Sequence, residues 1–157
     1  MLKELSFKFV ILLLLVTGQR GQTTLTVHMS HLRYMTTGKD SYTFIIADHL
    51  TQSKPRMPNP LVKVVSYEDA SICVDTTMRK YRKRTSSLRS NQSQLLISYT
   101  KPYKGISRDT LSRWVRHTMD QAGIDVSKCS PHSTRAASVL AASTASVNLD
   151  AILKTAG

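Results

Sequence analysis

Residues Phe9 to Val16 read FVILLLLV, eight apolar positions in a row behind Lys3 and Lys8. A run of this kind has no polar face. As a helix it must be buried inside a domain, unless it is a targeting segment that is removed. It is too short for a membrane span, which needs about 20 apolar residues. Two readings meet it: the h-region of an export signal, or a core helix that begins near Leu2 and ends at Gly18. Glu4 in the basic flank fits a signal poorly. So does Thr17-Gly18-Gln19-Arg20, which stands where a small-residue cleavage site should follow. The run alone leaves both readings open. The rest of the chain, strongly basic and poor in cysteine, decides for the core helix.

A chain of 157 residues suits one domain, and 41% apolar with 20% charged residues is enough for a packed core. Lys and Arg number 22 against 10 Asp and Glu, a formal charge of +12. That excess points to an anionic partner (nucleic acid, membrane surface or polyphosphate) and argues against a basic substrate. Cys73 and Cys129 are too few for a disulfide scaffold or a four-cysteine zinc site. His28, His31, His49 and His117 lack metal-ligand spacing and read as surface histidines, so no metal site is expected from them. Cys73 is expected in the core within a helix, and Cys129 semi-exposed.

Further along, Gln22 to Val27 continues as a short second helix. Leu32 to Met35 and Ser41 to Ala47 read as strands around a turn at Thr37-Gly38-Lys39-Asp40, and Leu61 to Val65 as a third. Pro55, Pro58 and Pro60 make Gln52 to Pro60 a loop. Ser66 with Asp69 suggests a capping box opening a helix from Tyr67 to about Lys83. Leu95 to Tyr99 reads as strand or buried extended chain. Ser107 opens the clearest helix: Leu111, Trp114, Val115, Thr118, Met119 and Ala122 recur at helical spacing until Gly123. Trp114 lies on its apolar stripe, Arg113 and Arg116 toward its polar face. Pro131 opens a helix to about Ser143, and Asn148 caps a last one reaching Thr155. The fold class is α-dominated α+β, helical with a small antiparallel β-hairpin or sheet insertion.

Thr76 to Arg108 holds nine basic residues and no acidic one: Arg79, Lys80, Arg82, Lys83, Arg84, Arg89, Lys101, Lys104 and Arg108. Cations at a helix C-terminus explain Arg79 to Arg84 in part. They do not explain thirty-three residues without an acid. Contact with nucleic-acid phosphates, with its salt-sensitive affinity, accounts for the pattern better.

His132-Ser133-Thr134-Arg135 sits where a helix should begin, and a spacing of three puts His132 and Arg135 on one face. A guanidinium fork and an imidazole there present donors to an oxyanion. H-x-x-R also arises by chance, and a surface pair of this kind is commonly inert. Arg20, projecting from the end of the apolar helix, is either a solvated arginine or the third member of a phosphate clamp.

Three segments carry a resemblance. Val16-Thr17-Gly18-Gln19-Arg20-Gly21-Gln22-Thr23 resembles the first box of the tyrosine recombinases, the phage-integrase family. Ala122-Gly123-Ile124-Asp125, followed by Pro131-His132-Ser133-Thr134-Arg135-Ala136-Ala137-Ser138, resembles their second box. Asp150-Ala151-Ile152-Leu153-Lys154-Thr155-Ala156-Gly157 resembles the approach to the nucleophile. Order and spacing match over essentially the whole chain, in a variant nearest to recombinases of eukaryotic mobile elements.

The resemblance implies a catalytic domain that cuts and rejoins DNA through a 3′-phosphotyrosyl link, without metal or energy cofactor. Arg20 and Arg135 would grip the scissile phosphate, and His132 would assist proton transfer. Lys54 or Lys39 would stand near the family's hairpin lysine. The basic residues Arg79, Lys80, Arg82, Lys83, Arg84, Lys101, Lys104 and Arg108 would flank the site on double-stranded DNA. Thr23 stands where many members carry an acidic residue. All six tyrosines precede His132, so residues 1–157 are expected to be a partial catalytic domain. The nucleophile segment and a separate N-terminal DNA-binding domain are expected to be missing. Cleavage by this chain alone is not expected. The chain is expected to be a monomer by itself, where full-length relatives form tetramers on DNA, and to be nuclear in a eukaryote or else cytoplasmic, without membrane attachment. The rival readings are a non-enzymatic nucleic-acid-binding remnant and a small secreted basic protein.

Overall fold

The computed structural model describes residues 1–37, 39–45 and 61–150. Helix α1 spans Leu2–Thr17 and stops at Gly18, whose left-handed backbone (φ 60°) lets its N–H reach the Leu14 carbonyl at 3.0 Å. The apolar run is a core helix: Phe9, Val10, Leu13 and Leu14 are buried. Leu15 and Val16, at its far end, are exposed. Among the described residues no helix is long and apolar enough to cross a membrane.

A five-residue helix α2, Gly21–Leu25, follows. Three strands, β1 (Leu32–Thr37), β2 (Lys39–Ile45) and β3 (Leu61–Val65), pair antiparallel in the order β1-β2-β3. Tyr34 stands opposite Tyr42, and Tyr42 opposite Val64. The strands reach Thr37 and resume at Lys39, closer than the four-residue turn expected from sequence. The expected end of the second strand at Ala47, the proline-rich loop and the candidate Lys54 lie outside the described residues. So does the expected last helix beyond Asp150, although the Asn148 side chain already accepts from the Asp150 N–H at 2.8 Å.

Helix α3 runs Val74–Thr85, seven residues later than the capping-box reading placed its start. Its N-cap is Cys73, whose Sγ accepts from the Thr76 N–H at 3.4 Å and from the Tyr67 N–H at 3.3 Å. The residues ahead of it have no apolar stripe to bury. Asp69 Oδ1 accepts from the Ser71 N–H at 2.7 Å, and this turn competes with helix formation. Ser66 donates instead to Asp75 Oδ2 at 2.6 Å. Cys73 is buried as expected, but at the cap rather than inside the helix.

Helix α4 is Arg108–Gln121, capped by Ser107 Oγ, which accepts from the Thr110 N–H. Its stripe of Leu111, Trp114, Val115 and Met119 is buried, and Gly123 follows at φ 76°. Helix α5 is Ser133–Thr144, two residues later than Pro131 suggested. Leu95–Ile97 is a fully buried segment between α3 and α4, bent at Leu95 and Leu96 rather than a strand, tied to Val27 by the Leu95 N–H and with isolated bridges at Gln94 and Ile97. Helix α1 forms the centre of the domain, touching α3, α4, α5 and β3.

Candidate phosphate-binding site

The end of α1 decides where Arg20 goes. Gly18 breaks the helix, Thr17 Oγ1 accepts from the Gln19 N–H at 3.3 Å, and Arg20 takes the N-cap position of α2 in an extended conformation. Gly21 packs against α4: a Cβ added there would come within 3.0 Å of Leu111 Cδ2. A side chain there would need Leu111 or α2 to give by a few tenths of an ångström.

His132 occupies the N-cap position of α5, and Arg135 lies within the first turn, its N–H reaching the His132 carbonyl at 3.2 Å. Thr134, between them, is buried and donates to the Pro131 carbonyl at 2.9 Å, which fixes the entry into the helix.

Arg20 and His132, separated by more than a hundred residues in the chain, line one cleft of about 80 Å³. Its apolar walls are Leu14, Leu111, Val115 and Pro131. Arg108, the first residue of α4, lines it as well. Arg135 stands within electrostatic reach. Partial burial, and then the charge of Arg20, lower the proton affinity of its guanidinium. Two like charges within electrostatic reach of one another favour an anion between them. The cleft is therefore chemically suited to an oxyanion that accepts from planar guanidinium forks. Among the described residues no tyrosine lines it, and no group of three His, Cys, Asp or Glu side chains could hold a metal.

The other basic residues divide. Lys80, Lys83 and Arg84 are exposed on α3, and Lys101 and Lys104 on the loop before α4. Arg79 is held by Asp75 at 3.1 Å, one turn earlier on the same helix, and Arg82 is half-buried. Arg89 departs from the sequence reading: it is buried and belongs to the core. Its guanidinium donates to the Gln94 and Leu95 carbonyls, both at 2.6 Å, and to Thr85 Oγ1 at 3.1 Å. It holds the buried segment in place and faces no groove. Arg108 was expected on a flank and lies instead at the cleft. The signal in the sequence was its position directly after the Ser107 cap. His28 is tied to Ser93 Oγ at 3.0 Å, and both cysteines are free thiols.

The architecture matches solved recombinases. It is similar to the XerH site-specific recombinase bound to difH substrate in a pre-cleavage complex, at TM-score 0.71 and 12% identity. That match covers 96% of this chain and 39% of that one. The XerH post-cleavage complex with palindromic difH gives TM-score 0.70 and 15% identity, over 95% of this chain and 38% of that one. The chain thus spans about two fifths of the length of these recombinases. At such identity the likeness is one of fold: the chain has a tyrosine-recombinase-like fold. No protein-family model matches the sequence, and no curated protein does.

Proposed function

We propose that this chain is a DNA-binding portion of a tyrosine-recombinase catalytic domain, in which Arg20, Arg135 and His132 hold a backbone phosphate of double-stranded DNA. The observation that carries the reading is the convergence of Arg20 and His132 on one cleft, with Arg135 beside Arg20, on a recombinase-like fold. Arg20 approaches from the end of α1 and His132 from the start of α5. A phosphate seated between them would relieve the repulsion of the two arginines and accept a hydrogen bond from the imidazole. Arg108 adds a third cation at the rim. Lys80, Lys83, Arg84 and Lys101 would add flanking contacts on the same polyanion, each releasing counterions when it neutralises a phosphate. XerH in the matched complexes is bound to its difH DNA, which supports DNA as the partner here.

Cutting a strand requires a nucleophile brought to this cleft, so the reading for the described residues is one of phosphate capture. In the family manner, the arginines would stabilise charge that develops on the phosphoryl oxygens, and His132 would move a proton. The lysine of that family's hairpin, for which Lys54 and Lys39 are the candidates, and an origin in a mobile element belong to the same proposal.

The test is binding of the purified chain to duplex DNA over a salt series, beside an Arg20→Ala/Arg135→Ala double variant. The reading expects log Kd to rise steeply with log salt, and the slope to shrink by about two in the double variant. An unchanged slope and affinity in the variant would remove the clamp.

A further inference from the structure

A second concavity lies on the other side of α4. Leu111, Ser112, Val115 and Arg108 face the phosphate cleft, while Thr110, Arg113, Trp114 and His117 face this groove. At 100° per residue the two sets point about 160° apart around the helix axis. A phosphate held by Arg20 and His132 cannot reach both.

The groove is the larger of the two, about 480 Å³, within the range of small-molecule sites. Its cations are Lys3, Lys104 and Arg113, from α1, the loop before α4, and α4 itself, and no carboxylate lines it. Its floor is an aromatic cluster. Phe7 sits at the centre, with ring centroids 5.7 Å from Tyr99, 5.4 Å from Trp114 and 5.2 Å from His117. Tyr99 and Trp114 lie 5.3 Å apart and only 30° from parallel. Phe7 and Trp114 are buried, Tyr99 is half-buried and His117 exposed, so the last two offer ring surface to an occupant. Lys3 Nζ already lies 5.6 Å from the Phe7 centroid.

Aromatic surface, hydroxyls and cations without a compensating acid define the occupant by complementarity: it carries a planar ring and a negative charge. A purely apolar ligand would leave three cations facing it, and a bare inorganic anion would leave the aromatic wall unused. We propose that this groove binds a nucleotide unit, its base against Tyr99 and His117 and its phosphate at Lys104 and Arg113. Base stacking on aromatic side chains with cations along the backbone is the way unpaired nucleic acid is held without sequence preference. The unit is supplied either by a free nucleotide or by an unpaired strand.

Trp114 is the protein's single tryptophan and lies in the groove, so its emission reports occupancy. The full chain is titrated with thymidine monophosphate, a thymidine octanucleotide and inorganic phosphate, read by Trp114 fluorescence and in parallel by calorimetry. The proposal expects saturable binding of both thymidine ligands, and no change in Trp114 emission with inorganic phosphate over the same range, since phosphate taken up at the other cleft does not touch Trp114. It expects the affinity of both ligands to fall about ten-fold in Lys104→Ala/Arg113→Ala, whose side chains are exposed, and the Trp114-reported affinity of the monophosphate to be unchanged in Arg20→Ala/Arg135→Ala. An octanucleotide that binds far more tightly than the monophosphate identifies an unpaired strand as the source. Equal affinities identify the free nucleotide. No saturable binding by calorimetry, an equal Trp114 response to inorganic phosphate, or loss of monophosphate binding on mutating Arg20 and Arg135 rather than Lys104 and Arg113 would each overturn it. The last outcome would leave the phosphate clamp standing and the groove without a ligand.

Discussion

Ser138 Oγ lies 2.6 Å from the carbonyl oxygen of Leu15, 123 positions earlier in the chain. This bond fastens α5 to the last turn of α1, at the point where both helices deliver their arginines. Leu15 O is one of the terminal carbonyls that an α-helix leaves without an internal partner. Ser138 satisfies it and ties the helix that carries Arg135 to the helix end that precedes Arg20. The same hydroxyl also approaches its own helix at Thr134 O, 2.9 Å away.

Ser138→Ala should therefore act on the site more than on the fold. One partly solvated hydrogen bond is worth about 1 kcal/mol, so urea unfolding should show a small loss. Duplex affinity should fall by more than that loss explains, because the two arginines are no longer held in register. A variant with wild-type DNA affinity and a lowered midpoint would show that the bond is only structural.

The repulsion between Arg20 and Arg135 makes a second expectation. Sulfate or phosphate at tens of millimolar should raise the Tm of the wild type, since a ligand that binds only the folded state stabilises it by mass action. The double Arg20→Ala/Arg135→Ala variant should lose most of that rise, and its Tm in low salt should not fall, since the repulsion goes with the two charges. Thermal melts of both proteins with sulfate, against chloride at equal ionic strength, separate this from general screening.

Arg89 should behave unlike every other basic residue in its stretch. Arg89→Met leaves two buried carbonyls and a hydroxyl without their donor, at a cost of about 3 kcal/mol. Lys83→Ala, on the exposed face of α3, should cost almost nothing in stability and should reduce the salt slope of DNA binding by about one. Equilibrium denaturation and the salt series together check the contrast.

Alkaline pH should unfold the domain through Tyr81. Burial pushes this phenol above its ordinary value of 10.0, although the hydrogen bond from the Ile97 N–H and the nearby Arg89 charge act the other way. Its oxygen accepts from the Ile97 N–H at 3.0 Å and lies 3.3 Å from the Ile97 carbonyl, to which it donates. The folded state thus holds the proton more tightly than the unfolded chain does. This contribution is fully present below about pH 10 and is lost as pH rises through the higher folded value. Tyr81→Phe should start less stable at neutral pH, because the Ile97 N–H loses its acceptor, and should show a shallower fall above pH 10. Denaturation midpoints from pH 8 to 11 test it.

The residues that could be read directly were those whose reason is local. Eight apolar residues followed by Thr17-Gly18 leave a core helix and an export signal open, and the basic, cysteine-poor remainder of the chain decides for the helix; α1 ends at Gly18 with a left-handed cap. The Leu111-to-Met119 stripe dictates α4, and the Ser107 cap marks its start. The start of α3 was misplaced because Ser66 and Asp69 offer a cap that a competing turn and the Cys73 thiol override. Nothing short of the packed core distinguishes those alternatives. Charge was legible as a total but not as a function. The same guanidinium is a core strut at Arg89, an ion pair at Arg79 and a cleft residue at Arg108. A side chain's use depends on what its helix face meets, and that is decided by contacts between distant segments. The sequence by itself determined which segments become helices and that the chain carries a large excess of positive charge. Only the tertiary structure decided that Arg20 and His132 share one cleft, because their approach is set by the packing of α1, α4 and α5, which no local spacing encodes.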